Sequence, residues 1–296
     1  MNRWKSKMGR SKLLPSLILM FVSFSCDSDN STKKVQAEKT CIVYIVADNN
    51  LSEFAYNLFH EIEQIQNSRN TNVIVLFDSK DGTKLYRLND KILNLVKDYG
   101  VQDATSTEFI RRSLQNIKQE FPAKEYGIVF WSHATAWLPG TIGSRTRSFG
   151  QDKGRECDII QMANALPFYF DYIIFDACYM ASLEVFYEFQ NHTKYMLASP
   201  IIVPNEGIID KENLELLIES DSPIQTRLSK ICDNYISQFD KKGENVSISL
   251  ANLHSLSDFE KLPFKATNVD FTRWSYPKFR NKYVFYDIKA MRVIGF

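Results

Sequence analysis

Five unbroken apolar runs constrain this chain more than any other feature. The first reads Cys41-Ile42-Val43-Tyr44-Ile45-Val46-Ala47, and others follow at 73–77, 126–131, 172–175 and 195–198. A strand wetted on one face alternates apolar with polar residues, whereas one that stays apolar throughout is covered on both faces. Segments of helical spacing lie between the runs. One of them carries Ile110, Leu114, Ile117 and Phe121 on a single face and stops at Pro122. Strands alternating with helices predict a mostly parallel sheet with helices on both sides, an α/β fold. Asp81-Gly82 and Asn89-Asp90 bracket two shorter runs, at 85–88 and 92–96, that read as an edge hairpin. A sixth strand is expected at 246–250.

Helix starts can be placed from their end signals. Asn50 with Glu53, and Thr105 with Glu108, have the spacing of a side chain that closes a helix N-terminus. Further helices are expected at 158–166, 181–190, 211–219 and 223–239. The segment from Leu138 to about Glu156, rich in Gly, Ser and Arg, reads as a polar loop.

The 296 residues are 44% hydrophobic and 24% charged, which suits a globular protein and excludes disorder, collagen and a polytopic membrane protein. The formal charge of +1 conceals an asymmetry. Arg3, Lys5, Lys7, Arg10 and Lys12 stand in the first 25 residues without an acid, leaving 31 basic against 35 acidic residues in the remainder. The rest is therefore mildly acidic and has no basic stripe for nucleic acid. The basic start, the short apolar run Ser16–Phe24 and Ser25 describe an export signal over 1–25. With Cys26 and the polar run after it, this segment resembles a bacterial lipoprotein signal. That resemblance implies lipidation of Cys26, a polar tether over 26–39, a folded domain over 40–296, and a place in the bacterial cell envelope, periplasmic or at the surface. Five cysteines make no disulfide framework. Cys41, Cys157 and Cys232 read as packing thiols.

Ligands of an open parallel sheet bind outside the carboxyl ends of its strands. The residues that follow the runs there are Asp48-Asn49-Asn50, Asp78, Ser132-His133, Asp176-Ala177-Cys178 and Ser199-Pro200. Two successive core strands thus end in a nucleophile and a candidate base. Cys178 precedes a helical segment, whose positive end would favour the thiolate, the attacking species. His133 can protonate a leaving amine and activate the deacylating water. The backbone N–H groups of Ala134 and Cys178 are candidates to hold the oxyanion. His60, His192 and His254 have no partner at metal-ligand spacing, so no metal site is expected.

Three motifs in order make the chemistry specific: Trp131-Ser132-His133, Arg147-Ser148-Phe149-Gly150-Gln151-Asp152, and Phe175-Asp176-Ala177-Cys178-Tyr179-Met180 with Glu184. Together with Tyr44–Leu51 they resemble the clostripain-like cysteine peptidases, which belong with caspases, gingipains, legumain and separase. The likeness extends from about residue 40 to about 290. It implies a caspase-like three-layer α/β/α sandwich and a Cys178–His133 dyad without an obligatory third member. It also implies that Asp176 lines the S1 pocket and selects Arg or Lys at P1, and that the chain cuts itself between His133 and Cys178. Arg145, Arg147, Lys153 and Arg155 are the basic residues available there. Substrates would be peptides or proteins with a basic P1 residue, and the membrane would be reached through lipid on Cys26. No cofactor is required, and calcium enters by family resemblance alone, since no acidic ligand loop is readable.

The chain departs from the pattern in places. Ala134 stands where relatives usually have Gly, and Pro200 where they commonly carry an acid, for which Glu206 is a weak substitute. Tyr286-Asp287-Ile288 leads into further structure in relatives, so the C-terminus reads as truncated. These departures keep open a second reading, a catalytically weak or inactive lipoprotein that binds rather than cuts.

Overall fold

Each unbroken apolar run forms a strand of one eight-stranded sheet. The computed structural model describes residues 36–66, 70–135, 148–219, 221–254, 256, 284–287 and 292–295. The chain divides into two compact units, Met1–Lys33 and Lys34–Phe296, and all described residues belong to the second. The export signal, Cys26 and most of the tether lie outside the described residues.

In chain order the elements are β1 (Ala37–Val46), α1 (Ser52–Glu63), β2 (Thr71–Ser79), β3 (Gly82–Asn89), β4 (Ile92–Gly100), α2 (Thr107–Glu120) and β5 (Ala123–Trp131). Then come β6 (Ser148–Asp152), β7 (Arg155–Asp158), α3 (Ile159–Ala165), β8 (Phe170–Asp176), α4 (Leu183–Phe189) and β9 (Thr193–Ala198). The last are α5 (Lys211–Glu219), α6 (Ile224–Asp240), β10 (Ser249–Asn252), β11 (Val284–Asp287) and β12 (Arg292–Gly295). The main sheet runs β10-β9-β8-β5-β1-β2-β3-β4. Its centre, from β9 to β2, is parallel, with the antiparallel β3–β4 hairpin at one edge and antiparallel β10 at the other.

Alternation along the strands builds two cores. Ile42, Tyr44 and Val46 of β1 join one cluster with side chains of α2, α3 and α4. Cys41, Val43 and Ile45 point the other way, into a cluster with α1, α5 and α6. The sheet is thus the middle of three layers, and burial on both faces explains why its central strands carry no alternation. Gly127 of β5 is required by this packing, because a Cβ there would lie 1.8 Å from the Tyr172 ring of neighbouring β8.

Local details differ from the sequence expectations. The segment expected to be a polar loop contains the antiparallel β6–β7 hairpin, and residues 136–147 lie outside the described ones. At α2 the side-chain cap is Ser106, whose hydroxyl accepts from the Phe109 N–H, while Thr105 bonds to Asp103. At α1 the cap position is Leu51 and Asn50 makes no capping bond. The sixth strand lies three residues later than expected.

Candidate active site

The parallel register brings the two candidate catalytic residues just past the ends of neighbouring strands. Trp131, the last residue of β5, is the register partner of Asp176, the last of β8. His133 and Cys178 each lie two residues further on, above strands about 4.8 Å apart. Ile45 of β1 pairs with Trp131 on its other side, which brings the loop Asp48–Leu51 to the same rim.

His133 is held from several directions. Its Nε2 lies 2.7 Å from the Asn50 Oδ1, and its carbonyl accepts from the Gly150 N–H at 2.8 Å. Ala134 then pairs antiparallel with Phe149, and neither bond flanking that bridge, Gly150 N–H to His133 O or Thr135 N–H to Ser148 O, uses the Ala134 N–H. The Ala134 methyl joins the buried cluster below the rim, so it packs into the core. The Ser132 hydroxyl donates to the Val46 carbonyl at 2.7 Å and accepts from the Gln151 N–H. Burial holds the imidazole below its ordinary pKa, with the charge of Glu156 opposing.

The half-buried Cys178 thiol sits against the loop that follows β9. Its Sγ accepts from the Val203 N–H at 3.4 Å and lies 3.9 Å from the Val203 carbonyl. Burial raises its pKa above the ordinary value, opposed by the Val203 N–H, and the Asp176 charge adds to the rise. The expectation that a helix end favours the thiolate is therefore corrected. Helix α4 begins only at Leu183, with Ser182 capping its own N-terminus, so the thiol meets apolar surroundings instead. Between them the chain turns sharply at Tyr179, whose φ is +64°.

Asp176 is 3% exposed and lies under the same loop. Its two oxygens accept from the Ile208 and Ile209 N–H groups, each at 2.9 Å. Burial raises its pKa to about 7, despite those two amides, and Asp210 adds to the rise. Gly207 makes the approach possible: its φ is +81°, and a Cβ there would lie 2.6 Å from the Asp176 Oδ2. Glu206 points elsewhere. It is exposed and paired with Lys242 at 2.9 Å, which holds its carboxyl low.

Of the four basic residues expected as self-cleavage points, Lys153 and Arg155 belong to folded structure. Lys153 (φ +50°) and Gly154 (φ +81°) form the tight turn between β6 and β7. The Lys153 ammonium lies 3.0 Å from Asp48, and Arg155 pairs with Asp103 and Asp152. Arg145 and Arg147 lie outside the described residues. Among the described residues no group of three or more His, Cys, Asp or Glu side chains is placed to hold a metal. No helix among them is long and apolar enough to cross a membrane.

Several residues of this site were not singled out by sequence reasoning. Val203, Ile208 and Ile209 act through backbone N–H groups of one loop, and such roles leave no mark in residue type; the one signal there was Gly207, whose missing Cβ the close approach requires. Asn50 did carry a signal, since it ends the Asp48-Asn49-Asn50 triplet on the rim.

A model of the clostripain family matches residues 43–264. The chain belongs to the clostripain family. This is a family of cysteine peptidases, and its solved members share the caspase-like arrangement described above. A secreted C11 cysteine protease from Bacteroides thetaiotaomicron, in complex with an irreversible peptide inhibitor, is 30% identical, with a TM-score of 0.67 over 76% of this chain and 68% of that one. An inactive zymogen C11 protease from Parabacteroides distasonis is 26% identical, with a TM-score of 0.65 over 77% of this chain and 65% of its own. A third, the secreted protease iotapain of Bacteroides thetaiotaomicron, is 21% identical at a TM-score of 0.66, over 77% of this chain and 69% of its own, and bears on the fold alone. Comparison with curated proteins returned no relative.

Proposed function

We propose that this clostripain-family chain is an exported, lipid-anchored cysteine endopeptidase that cuts after Arg or Lys, with Cys178 as nucleophile and His133 as its base. The observation that supports the reading is the register of β5 with β8, in which Trp131 pairs with Asp176 and the chain reaches His133 and Cys178 two residues past each strand end. In the first step the Cys178 S–H proton passes to His133 as the sulfur attacks the scissile carbonyl carbon. The resulting oxyanion is received by the N–H groups of Ala134 and Cys178. The imidazolium then protonates the leaving amine as the C–N bond breaks. Water, deprotonated by His133, attacks the acyl carbon and releases the thiol and the new carboxylate. With the thiol raised and the imidazole lowered, the resting pair is neutral, and the ion pair forms as the substrate is attacked.

Asp176 serves as the acid that meets a basic P1 side chain. Its support is physical: a buried carboxylate with a second acid near it gains strongly from a guanidinium or ammonium. For self-processing, the hairpin narrows the choice. Peptidases bind substrates extended, and Lys153 and Arg155 are engaged in a tight turn and its ion pairs, so Arg145 and Arg147 are favoured. Export is supported by the basic start of the chain and by the secreted relatives, and Cys26 is the residue to carry the lipid. The domain proper then begins near residue 40.

The test incubates the full chain and Cys178→Ala with fluorogenic peptides ending in Arg, Lys or a neutral residue, and takes mass spectra of both. The proposal expects turnover of the basic peptides and cleavage after Arg145 or Arg147, both lost in Cys178→Ala. Equal inactivity of the two proteins toward every peptide would favour the binding reading instead.

A further inference from the structure

We infer that Asn50 is a positioning residue for His133, fixing which imidazole nitrogen carries the proton. The inference rests on the dyad reading above and adds a third member to it. The 2.7 Å contact between the Asn50 Oδ1 and the His133 Nε2 joins residues 83 apart in sequence. An amide oxygen can only accept, so Nε2 is the protonated nitrogen and Nδ1 keeps the lone pair. That is the tautomer a base needs if Nδ1 is to take the thiol proton.

The local structure argues against a merely helical role. An Asn at the cap position of a helix ordinarily turns its side chain onto an N–H of the first turn, but Asn50 lies one residue ahead of that position, which Leu51 holds. Here α1 has no side-chain cap, and the neighbouring Asn49 makes the local bond instead, accepting from the Leu51 N–H at 2.8 Å. Asn49 also donates to the Val46 and Gln151 carbonyls, at 3.1 and 2.7 Å. Gln151 lies in β6, the strand whose Gly150 N–H holds the His133 carbonyl. One hairpin therefore braces both partners, His133 through Gly150 and the Asn50 loop through Gln151. Lys153 adds a third tie by its pairing with Asp48.

The contact works on the reacting state more than on the resting one. When His133 takes the proton, its Nε2–H becomes part of a cation, and a hydrogen bond from a charged donor is roughly twice as strong as a neutral one. Being neutral, Asn50 gives this support without holding the resting imidazole protonated, as a carboxylate there would.

The test compares Asn50→Ala and Asn50→Asp with the unmodified sequence. Steady-state kinetics use a Lys-terminated peptide at pH 8, and the imidazole 15N shifts of His133 are read in the Cys178→Ala background. Asn50→Ala is expected to lower kcat about tenfold, the scale of one hydrogen bond, with KM held within about twofold. The same variant should shift His133 from the Nε2–H tautomer to a mixture. Asn50→Asp keeps an acceptor at the same reach, so at pH 8 it should recover most of kcat and the Nε2–H, while its carboxylate moves the acid limb of the pH–rate profile to higher pH. If Asn50→Ala keeps both kcat and the tautomer, the inference is overturned. A fall in kcat with an unchanged tautomer also overturns it, because Asn50 would then act elsewhere. Should the unmodified chain turn over no basic peptide, the peptidase reading fails, while the 15N spectra still decide the role of Asn50.

Discussion

Replacing Asp176 with Asn gives a stability change whose pH dependence can be worked out in advance. In the folded chain this carboxyl titrates at about 7, and in the unfolded chain near 3.9. Between those values the folded state holds a proton that the unfolded state has lost, so stability falls as pH rises through the window. Each unit is worth about 1.4 kcal/mol, and integration from pH 5 to pH 8 removes about 2–3 kcal/mol. An amide side chain has no such dependence. It retains one acceptor for the Ile208 and Ile209 amides and sets its NH2 against the other, which costs about 1–3 kcal/mol. The Asp176→Asn protein should therefore be less stable than the parent at pH 5, and the gap should close or reverse by pH 8. Urea unfolding at pH 5, 6, 7 and 8 reads this directly, with both proteins in the Cys178→Ala background to prevent self-cleavage. Asp78 is also raised to about 7 by burial, but it is common to both proteins and cancels. A stability difference that stays constant with pH, or one that widens as pH rises, would refute the buried-carboxylate argument.

Four further outcomes are expected. Gly207→Ala forces a Cβ against Asp176 at a left-handed backbone position. It should cost about 1–2 kcal/mol in urea unfolding and raise KM for Arg peptides, and an unchanged KM would separate this loop from S1. Because His133 is lowered, the acid limb of kcat/KM should fall below pH 6.5, the rate rising as the imidazole loses its proton. Iodoacetamide labelling of Cys178 in the free protein should keep climbing above pH 9 because that thiol is raised, and a plateau at neutral pH would point to a preformed thiolate. Gly127→Ala should leave no folded protein by circular dichroism, or lower the unfolding free energy by about 3 kcal/mol, the upper end for an overpacked core, since the added methyl overlaps the Tyr172 ring.

The parts of the fold legible in sequence are those set by continuous burial. Residues 41–47, 73–77, 126–131, 172–175 and 195–198 declare themselves because both faces of each strand are covered. The rim followed from them, and with it the placement of His133, Asp176 and Cys178 above neighbouring strands. What could not be read rests on contacts between distant backbone groups. The Val203 N–H on Cys178 and the Ile208 and Ile209 N–H groups on Asp176 come from a loop more than 20 residues away. The raised Cys178 follows from burial under that loop, which outweighs a helix that starts too late to help. The β6–β7 hairpin escaped notice because its strands are short and polar and its turn is Lys153-Gly154, outside the common Asn-Gly and Asp-Gly pairs. Both cap positions lie one residue beyond the expected ones, at Leu51, which makes no side-chain bond, and at Ser106, which does, while the Asn50 and Thr105 side chains bond to His133 and Asp103.

The central claim is that Cys178 and His133 act together on a bond after a basic residue, and covalent labelling tests it most directly. The full chain, His133→Ala and Cys178→Ala would be incubated with a Lys-terminated acyloxymethyl ketone and a neutral counterpart, then digested and mapped by mass. One adduct is expected, on Cys178, formed faster with the basic probe, greatly slowed in His133→Ala and absent in Cys178→Ala. An adduct on another cysteine, or labelling of Cys178 that ignores both His133 and the charge of the probe, would contradict it.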